Sequence, residues 1–422
     1  MQPTSSRSKF IAGVAKLLGG NMAVVVVQAL QFVLLARVLG VDQFGEIAAA
    51  NALSAVLIPL SGLGMGNVML MEVSRDHAAG RLWAGNALAL TYLSGVLLVA
   101  GGTIAAFYIY KMGVSLWVVA GVLSVELLLS RTVTLAAQYF SALEDFRRSA
   151  MATLSVALAR LGATAALFSG LVPRTSSVWV LISIVFSAFL AAAYVFKLIR
   201  HSGGLSVNID SIAKRARMGV AFASGIGAKA VYTDADKIML AHFASAGALG
   251  AYASAYRLTT MAFMPVRALL DASAARFFRA GEGGMGGAVA LSLKLLRVSV
   301  PYGVFVGGSM YLFAPLVPHI LGHSFATAPE VLRILCLLPF IQSVHYVLSD
   351  ALTGAGLQGL RTKIQLLVVV AYIVAGYLAI PAYGWRGAAV VCISAESLLA
   401  VMIALAVCWE HRRDQLERDH NR

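Results

Sequence analysis

Apolar runs of about twenty residues or more recur along the whole chain and leave little choice of architecture. A helix needs roughly 20 mainly apolar residues to cross a bilayer, and within the hydrocarbon it must satisfy its own backbone hydrogen bonds. Twelve stretches meet this criterion, at approximately 11–36, 44–71, 83–110, 113–140, 150–172, 177–199, 218–241, 247–271, 288–314, 330–356, 361–380 and 385–409. Only 12% of the 422 residues are charged and the mean hydropathy is +0.82, whereas soluble domains carry about 25% charged residues. The expected fold is an all-α polytopic membrane protein of about twelve transmembrane helices. Trp83, Trp117, Trp179 and Trp385 open spans and Trp409 closes the last, as aromatic side chains do at membrane interfaces. The first run is longer than the roughly 7–15 apolar residues of a signal peptide, so it reads as a retained helix.

The net charge of +14 does not point to nucleic acid, because the basic residues lie in short clusters between apolar runs. Eighteen lysines and arginines fall on one side of this topology; Arg37, Lys111, Arg174 and Arg386 fall on the other. The positive-inside rule then places both termini in the cytoplasm and favours an even number of spans. The basic stretch 201–217 divides the chain into bundles of six helices each, 1–200 and 218–410, followed by a charged cytoplasmic tail, 411–422. Cys336, Cys392 and Cys408 lie in apolar segments and form no disulfide framework. Phosphate-loop, nucleophile-elbow and zinc-protease motifs are absent from the sequence. No enzyme activity, cofactor or metal is therefore expected, and any site must be built from the helices. Ions, membrane potential or a substrate gradient would have to drive transport.

Ionisable side chains inside the spans are the strongest pointers to such a site, since they are costly there and usually mark a wet cavity or ion pathway. The stretch from Lys229 to Leu258 is the richest. Lys229, Tyr232, Thr233 and Asp236 follow the spacing of one helical face, with Asp234 and Lys237 beside them. The last two either join this stripe or reach interfacial water. Arg257 follows Tyr252 and Tyr256, a set suited to phosphate oxygens and sugar rings; the alternative is pairing with Asp234 or Asp236. Glu126, Arg131 and Arg160 are isolated intramembrane charges that either pair with one another or line the same cavity. Asn21, Gln28 and Gln31 share a face of the first helix, and Arg267 and Asp271 are spaced for a local ion pair. Pro59 and Pro265 are candidate kinks. Gln342, His345 and Ser349 share a face of the tenth span.

A shift of 205 residues aligns LARVLGVDQFGEIAAANAL, from Leu35, with LAHFASAGALGAYASAYRL, from Leu240. Six residues coincide without a gap, and the shift pairs Gln28 with Thr233 and Gln31 with Asp236. Two parallel repeats with polar stripes on their first helices describe a transporter with alternating access around a central cavity.

The segments DADKIML and GAYASAYRL, with ARVLGVDQFGEIAAANAL and LIPLSGLGMGNVMLMEVSR in the first repeat, resemble polysaccharide and O-antigen-type oligosaccharide-lipid flippases. These belong to the superfamily of multidrug, oligosaccharidyl-lipid and polysaccharide exporters, with the lipid II flippases. The specific motifs cover residues 35–75 and 234–258, and helix count and short loops extend the likeness over most of the chain. The resemblance implies flipping of an undecaprenyl-pyrophosphate-linked oligosaccharide across the bacterial inner membrane for surface polysaccharide biosynthesis. A cationic cavity would take the pyrophosphate and sugars while the lipid tail stays in the bilayer. By charge and location the candidates for substrate binding are Lys229, Arg257, Arg160, Arg131, Tyr252, Tyr256, Asn21, Gln28 and Gln31. Asp236, Asp234 and Glu126 are candidates for coupling to H+ or Na+. Membrane lipids, glycosyltransferases and a glycan polymerase are the implied partners. Lipid II flippases carry several arginines on their first two helices, where this chain has Asn21, Gln28 and Gln31. The main alternative is an ion-coupled multidrug or small-molecule extruder of the same superfamily. A membrane polymerase or ligase is disfavoured, because its long outer catalytic loop would have to be the short 315–329, with His319 and His323.

Overall fold

The computed structural model describes the backbone of residues 4–110 and 114–420, and the side chains of these except 4–22, 225, 228, 229, 275 and 417–420. All regular structure among the described residues is helical: α1 (Thr4–Leu57), α2 (Met65–Arg75), α3 (Gly80–Ile109), α4 (Leu116–Ser124), α5 (Ser130–Ala142), α6 (Phe146–Phe168), α7 (Ser176–Ser202), α8 (Ile209–Phe243), α9 (Ala246–Gly281), α10 (Met285–Phe313), α11 (Val317–Leu321), α12 (Ala328–Leu335), α13 (Leu338–Gly354) and α14 (Gln358–His420). Polar side chains set several of the starts. Asp145, Thr175 and Ser245 accept hydrogen bonds from Arg148 N, Val178 N and Ala248 N, satisfying backbone donors that a helix leaves open.

Eight helices among the described residues are long and apolar enough to cross a membrane. One of them, Gln358–Leu416, has 59 residues, about 90 Å as a straight rod against roughly 30 Å of hydrocarbon. It turns at Gly384 (φ 56°, ψ −133°), as α1 turns at Gly40 (φ 74°, ψ 176°). The expected spans 218–241 and 247–271, in α8 and α9, are not among the eight. Lys229, Asp234, Asp236 and Lys237 lower the hydropathy of the first, and Arg257, Arg267 and Asp271 that of the second. Twelve crossings thus remain an expectation of the sequence. The 205-residue shift carries Gly40, where α1 turns, onto Ser245, the N-cap of α9.

By packing, the chain divides into two units, Met1–His242 and Phe243–Arg422, and each is described by itself. In the first, Met65, Met69, Trp83, Leu135, Tyr139, Phe140, Tyr194 and Leu198 form a buried cluster from α2, α3, α5 and α7. Dispersion packing of this kind holds helices together in lipid, which offers no hydrophobic gain from burial. The outward faces expose Leu97, Phe107, Phe189 and other large apolar side chains, as a lipid-facing surface requires. α8 is tied to this unit by Arg215 Nη2 to Glu72 Oε1 at 2.7 Å and by a contact between His242 Nδ1 and Ile109 O.

Pro59 and Pro265 behave differently. Pro59 lies in a 3₁₀ turn, Ile58–Leu60, where the helix ends before resuming at Met65. Pro265 sits inside α9, which continues through it. The break after Pro59 is fixed by Gly64, whose φ of +72° favours glycine. A Cβ there would lie 2.1 Å from Gly219 O of α8. Gly64→Ala is expected to destabilise the protein by about 3 kcal/mol or more through strain and overpacking. Gly101→Ala is helical with nothing within 4 Å of the added Cβ and should be neutral or stabilising. Thermal unfolding in detergent, followed by circular dichroism, separates the two; equal midpoints would refute the close approach.

Candidate functional site

The most buried span of the first unit is also its most irregular. In Leu116–Ala142, 61% of the most apolar window is buried, against 33% in Ser176–Ser202. The two halves of this span, α4 and α5, would be one α-helix but for a π-helical turn at Val125–Leu129. Such turns insert a residue, reorient the following side chains and recur at functional sites. Glu126 lies on the turn, and Ser130, Arg131 and Thr134 follow it.

Across from the turn stands α6. Arg160 Nη2 donates to Glu126 Oε1 at 2.5 Å, a charge-assisted bond between two neighbouring helices. A cavity of about 270 Å³ lies against the pair, lined by Gln28, Glu126, Ser130, Arg131, Thr134 and Arg160 together with Thr153 and a few apolar side chains. It has room for several water molecules, at roughly 30 Å³ each. Behind the pair Trp179 and Ser183 close off the bundle, and Trp179 Nε1 donates to Thr164 Oγ1 at 3.0 Å.

Arg131 makes this cavity cationic. Its Nε is buried and meets no hydrogen-bond acceptor among the described residues. Two guanidinium groups against one carboxylate leave a formal charge of +1 within the lining. A buried donor without a partner is expensive, so the site suits a polar or anionic guest better than an empty apolar packing would.

Of the candidates read from the sequence, Gln28, Glu126, Arg131 and Arg160 come together. Glu126 pairs with Arg160, and all three charges line one cavity, whose described lining includes Gln28 but neither Asp236 nor Arg257. Gln31 is half-buried on α1 outside the cavity lining. The side chains of Asn21 and Lys229 lie outside the described residues. On α8, Lys237 Nζ sits 3.0 Å from Asp234 Oδ1 and 3.4 Å from Asp236 Oδ1 and donates to Thr233 O at 2.7 Å. Asp234 and Lys237 therefore form an ion-pair cluster with Asp236, in which Asp236 and Lys237 are buried and Asp234 is half-buried. In the second unit Tyr252 is fully buried and stacks on Tyr256, with ring centroids 6.2 Å apart, while Arg257 is exposed. Arg267 lies over the Tyr346 ring at 5.7 Å, and no ion pair joins it to Asp271 among the described residues.

Sequence reasoning missed Glu396. It is buried in α14, with Oε2 2.9 Å from His345 Nδ1 and Oε1 accepting from Gln342 Nε2 at 3.2 Å. The signal was available: Glu396 is the only Asp, Glu, Lys, Arg or His between Arg386 and Glu410, and Gln342 and His345 share a face of α13.

The sequence model of the family described as polysaccharide biosynthesis protein matches residues 10–274, well over half the chain. The chain belongs to this polysaccharide biosynthesis protein family. The matched region includes the whole Glu126–Arg160 cavity, so the site lies in the part of the chain that defines membership. The chain has no match among curated proteins. Its fold is similar to that of an inward-facing multidrug resistance MATE family transporter of the MOP superfamily, with a TM-score of 0.71, 14% identity and coverage of 94% of this chain and 99% of that one. It is equally similar to the lipid II flippase MurJ in an inward closed conformation, with a TM-score of 0.71, 11% identity and coverage of 93% and 87%. A MOP superfamily transporter from Pyrococcus furiosus, reported with reversed polarity of its binding pocket, gives a TM-score of 0.58 at 14% identity, covering 96% and 94%. At these identities the likeness is one of fold, and the fold is that of the MOP transporters.

The Glu126–Arg160 pair is open to a direct test. Glu126→Ala with Arg160→Ala should destabilise by less than the sum of the two single substitutions, the shortfall being a coupling of about 1–3 kcal/mol in a double-mutant cycle. Unfolding midpoints of the four proteins in detergent measure it, and additive losses would show that the two side chains do not interact.

Proposed function

We propose that this member of the polysaccharide biosynthesis family moves a lipid-linked oligosaccharide across the bacterial cytoplasmic membrane by alternating access. The observation that carries the reading is the surplus guanidinium of Arg131 in a polar cavity within an otherwise apolar bundle. A pyrophosphate-linked sugar offers what Arg131 lacks in that cavity: an acceptor oxygen with negative charge for its Nε. Arginine binds phosphate through paired hydrogen bonds of fixed geometry, and Gln28, Ser130 and Thr134 supply further donors for phosphate or sugar hydroxyls. The proposal includes twelve crossings, six-helix halves joined at 201–217, and both termini in the cytoplasm.

The Glu126–Arg160 pair gives the cycle a means of coupling. An arriving phosphate offers Arg160 a second acceptor. Once Arg160 turns to it, Glu126 faces the cavity without its partner and takes up a proton or Na+, because a lone carboxylate is costly at that depth. Departure of the substrate restores the pair and expels the ion. The acidic cluster at Asp234 and Asp236 on α8, and Glu396 with His345 in the second unit, are further places where a cation can be held.

The likeness to a multidrug transporter supports a second reading, extrusion of small molecules, and the equal TM-scores leave fold neutral between the two. The charge of the cavity separates them, since a formal +1 favours an anion and repels a cationic drug. In a bacterial strain lacking the gene, lipid-linked units should accumulate on the cytoplasmic face and surface polymer should be lost. Wild type restores polymer, and Arg131→Gln, inserted at equal level, should restore less than about a tenth of it. Normal surface glycan with raised drug sensitivity in the deletion strain would instead support extrusion.

A further inference from the structure

Well away from the cavity, the first unit has a second concentration of positive charge where α6 begins and α7 ends. A groove of about 760 Å³ lies there, and Arg147, Arg148, Lys197 and Arg200 are the lysines and arginines of its wall. Asp145 is its one carboxylate, so the formal balance is four positive charges against one negative, or +3. Asp145 is already engaged, at 3.2 Å from Arg148 Nη1. Lys197 Nζ stands 4.3 Å above the Tyr194 ring, and Arg147 and Arg200 are exposed and in no ion pair among the described residues. The site is distinct from the one already described: Arg160 follows Arg148 by twelve residues, about 18 Å along α6.

We propose that this groove binds the headgroup of an anionic phospholipid. Positive charge alone would fit any phosphate, but the wall continues directly into apolar side chains that face outward. Met151 is 53% exposed one turn beyond Arg147 on α6, and Phe196 is 65% exposed beside Lys197 on α7. A free phosphate has no use for these residues, whereas acyl chains attached to a phosphate would run along them. Basic pockets between transmembrane helices at the membrane edge bind acidic headgroups in this way. The spacing agrees, since Ala193, Lys197 and Arg200 fall on one face of α7 and meet Arg147 and Arg148 across the groove. A headgroup seated there bridges two neighbouring helices and holds the first unit together in the membrane. This holds whatever substrate the protein carries.

The full-length protein, purified in detergent and titrated with lipid under native mass spectrometry, tests the site. Cardiolipin or phosphatidylglycerol should bind about 10-fold or more tightly than phosphatidylcholine. Arg147→Gln with Arg200→Gln should weaken anionic-lipid binding about 25-fold, taking roughly fivefold for each cation removed. The charge-preserving Arg147→Lys with Arg200→Lys should keep most of the affinity and controls for misfolding. Removing two cations elsewhere, Arg412→Gln with Arg413→Gln, should leave it unchanged. Equal binding of all headgroups, or wild-type binding by the Gln variant, would overturn the proposal. So would inorganic pyrophosphate displacing the anionic lipid completely at equal concentration, which would mark a soluble-anion site.

Discussion

An ionised side chain inside an apolar bundle persists only where a partner or water meets it, and this one constraint organises both units of the protein. In each, a highly buried span is the one that carries charge or its partners. Leu116–Ala142 holds Glu126 and Arg131, and Ala328–Gly354, buried over 56% of its window, holds Gln342 and His345. Neighbouring helices bring the matching groups, Arg160 from α6 and Glu396 from α14. Lys237 answers Asp234 and Asp236 on α8 itself. The outer faces can be almost wholly apolar because the polar chemistry is gathered inside. Arg131 is the departure from this economy, a guanidinium brought to the cavity without a carboxylate of its own. That surplus is what supports an anionic substrate.

Irregular backbone follows the same geography. The π-helical turn at Val125–Leu129 carries Glu126, which pairs with Arg160 of α6, and sets the face on which Ser130, Arg131 and Thr134 follow. The break between Ile58 and Gly64 lets Gly64 approach Gly219 at backbone distance. Such breaks cost hydrogen bonds in hydrocarbon and are tolerated where protein surrounds them. α3 and α7, whose most apolar windows are a third or less buried, run without interruption.

Much of this was legible in the sequence, because the bilayer imposes a length and a composition that local sequence must show. The all-helical membrane fold, and Glu126, Arg131 and Arg160 as charges that pair or line a cavity, follow from hydrophobic runs and misplaced charges. Contacts between distant helices were less accessible. Nothing local in the sequence says that Glu396 meets His345, or that Tyr252 turns its ring into the core. The π turn leaves no periodic signature, since one inserted residue in an apolar run looks like any other. Pro59 and Pro265 read alike, yet only Pro59 is followed by a glycine-rich segment able to adopt the positive φ values that end a helix.

Transport itself is the most direct measure of the central claim. The purified protein would be reconstituted into liposomes containing a fluorescent lipid-pyrophosphate oligosaccharide, and the label accessible to a membrane-impermeant quencher followed with time. Wild type should make the inner-leaflet label accessible, and Arg131→Gln should slow this about 10-fold or more while leaving the protein folded and inserted. Equal rates for Arg131→Gln and wild type, or no translocation by wild type of any pyrophosphate-linked glycan, would contradict the account.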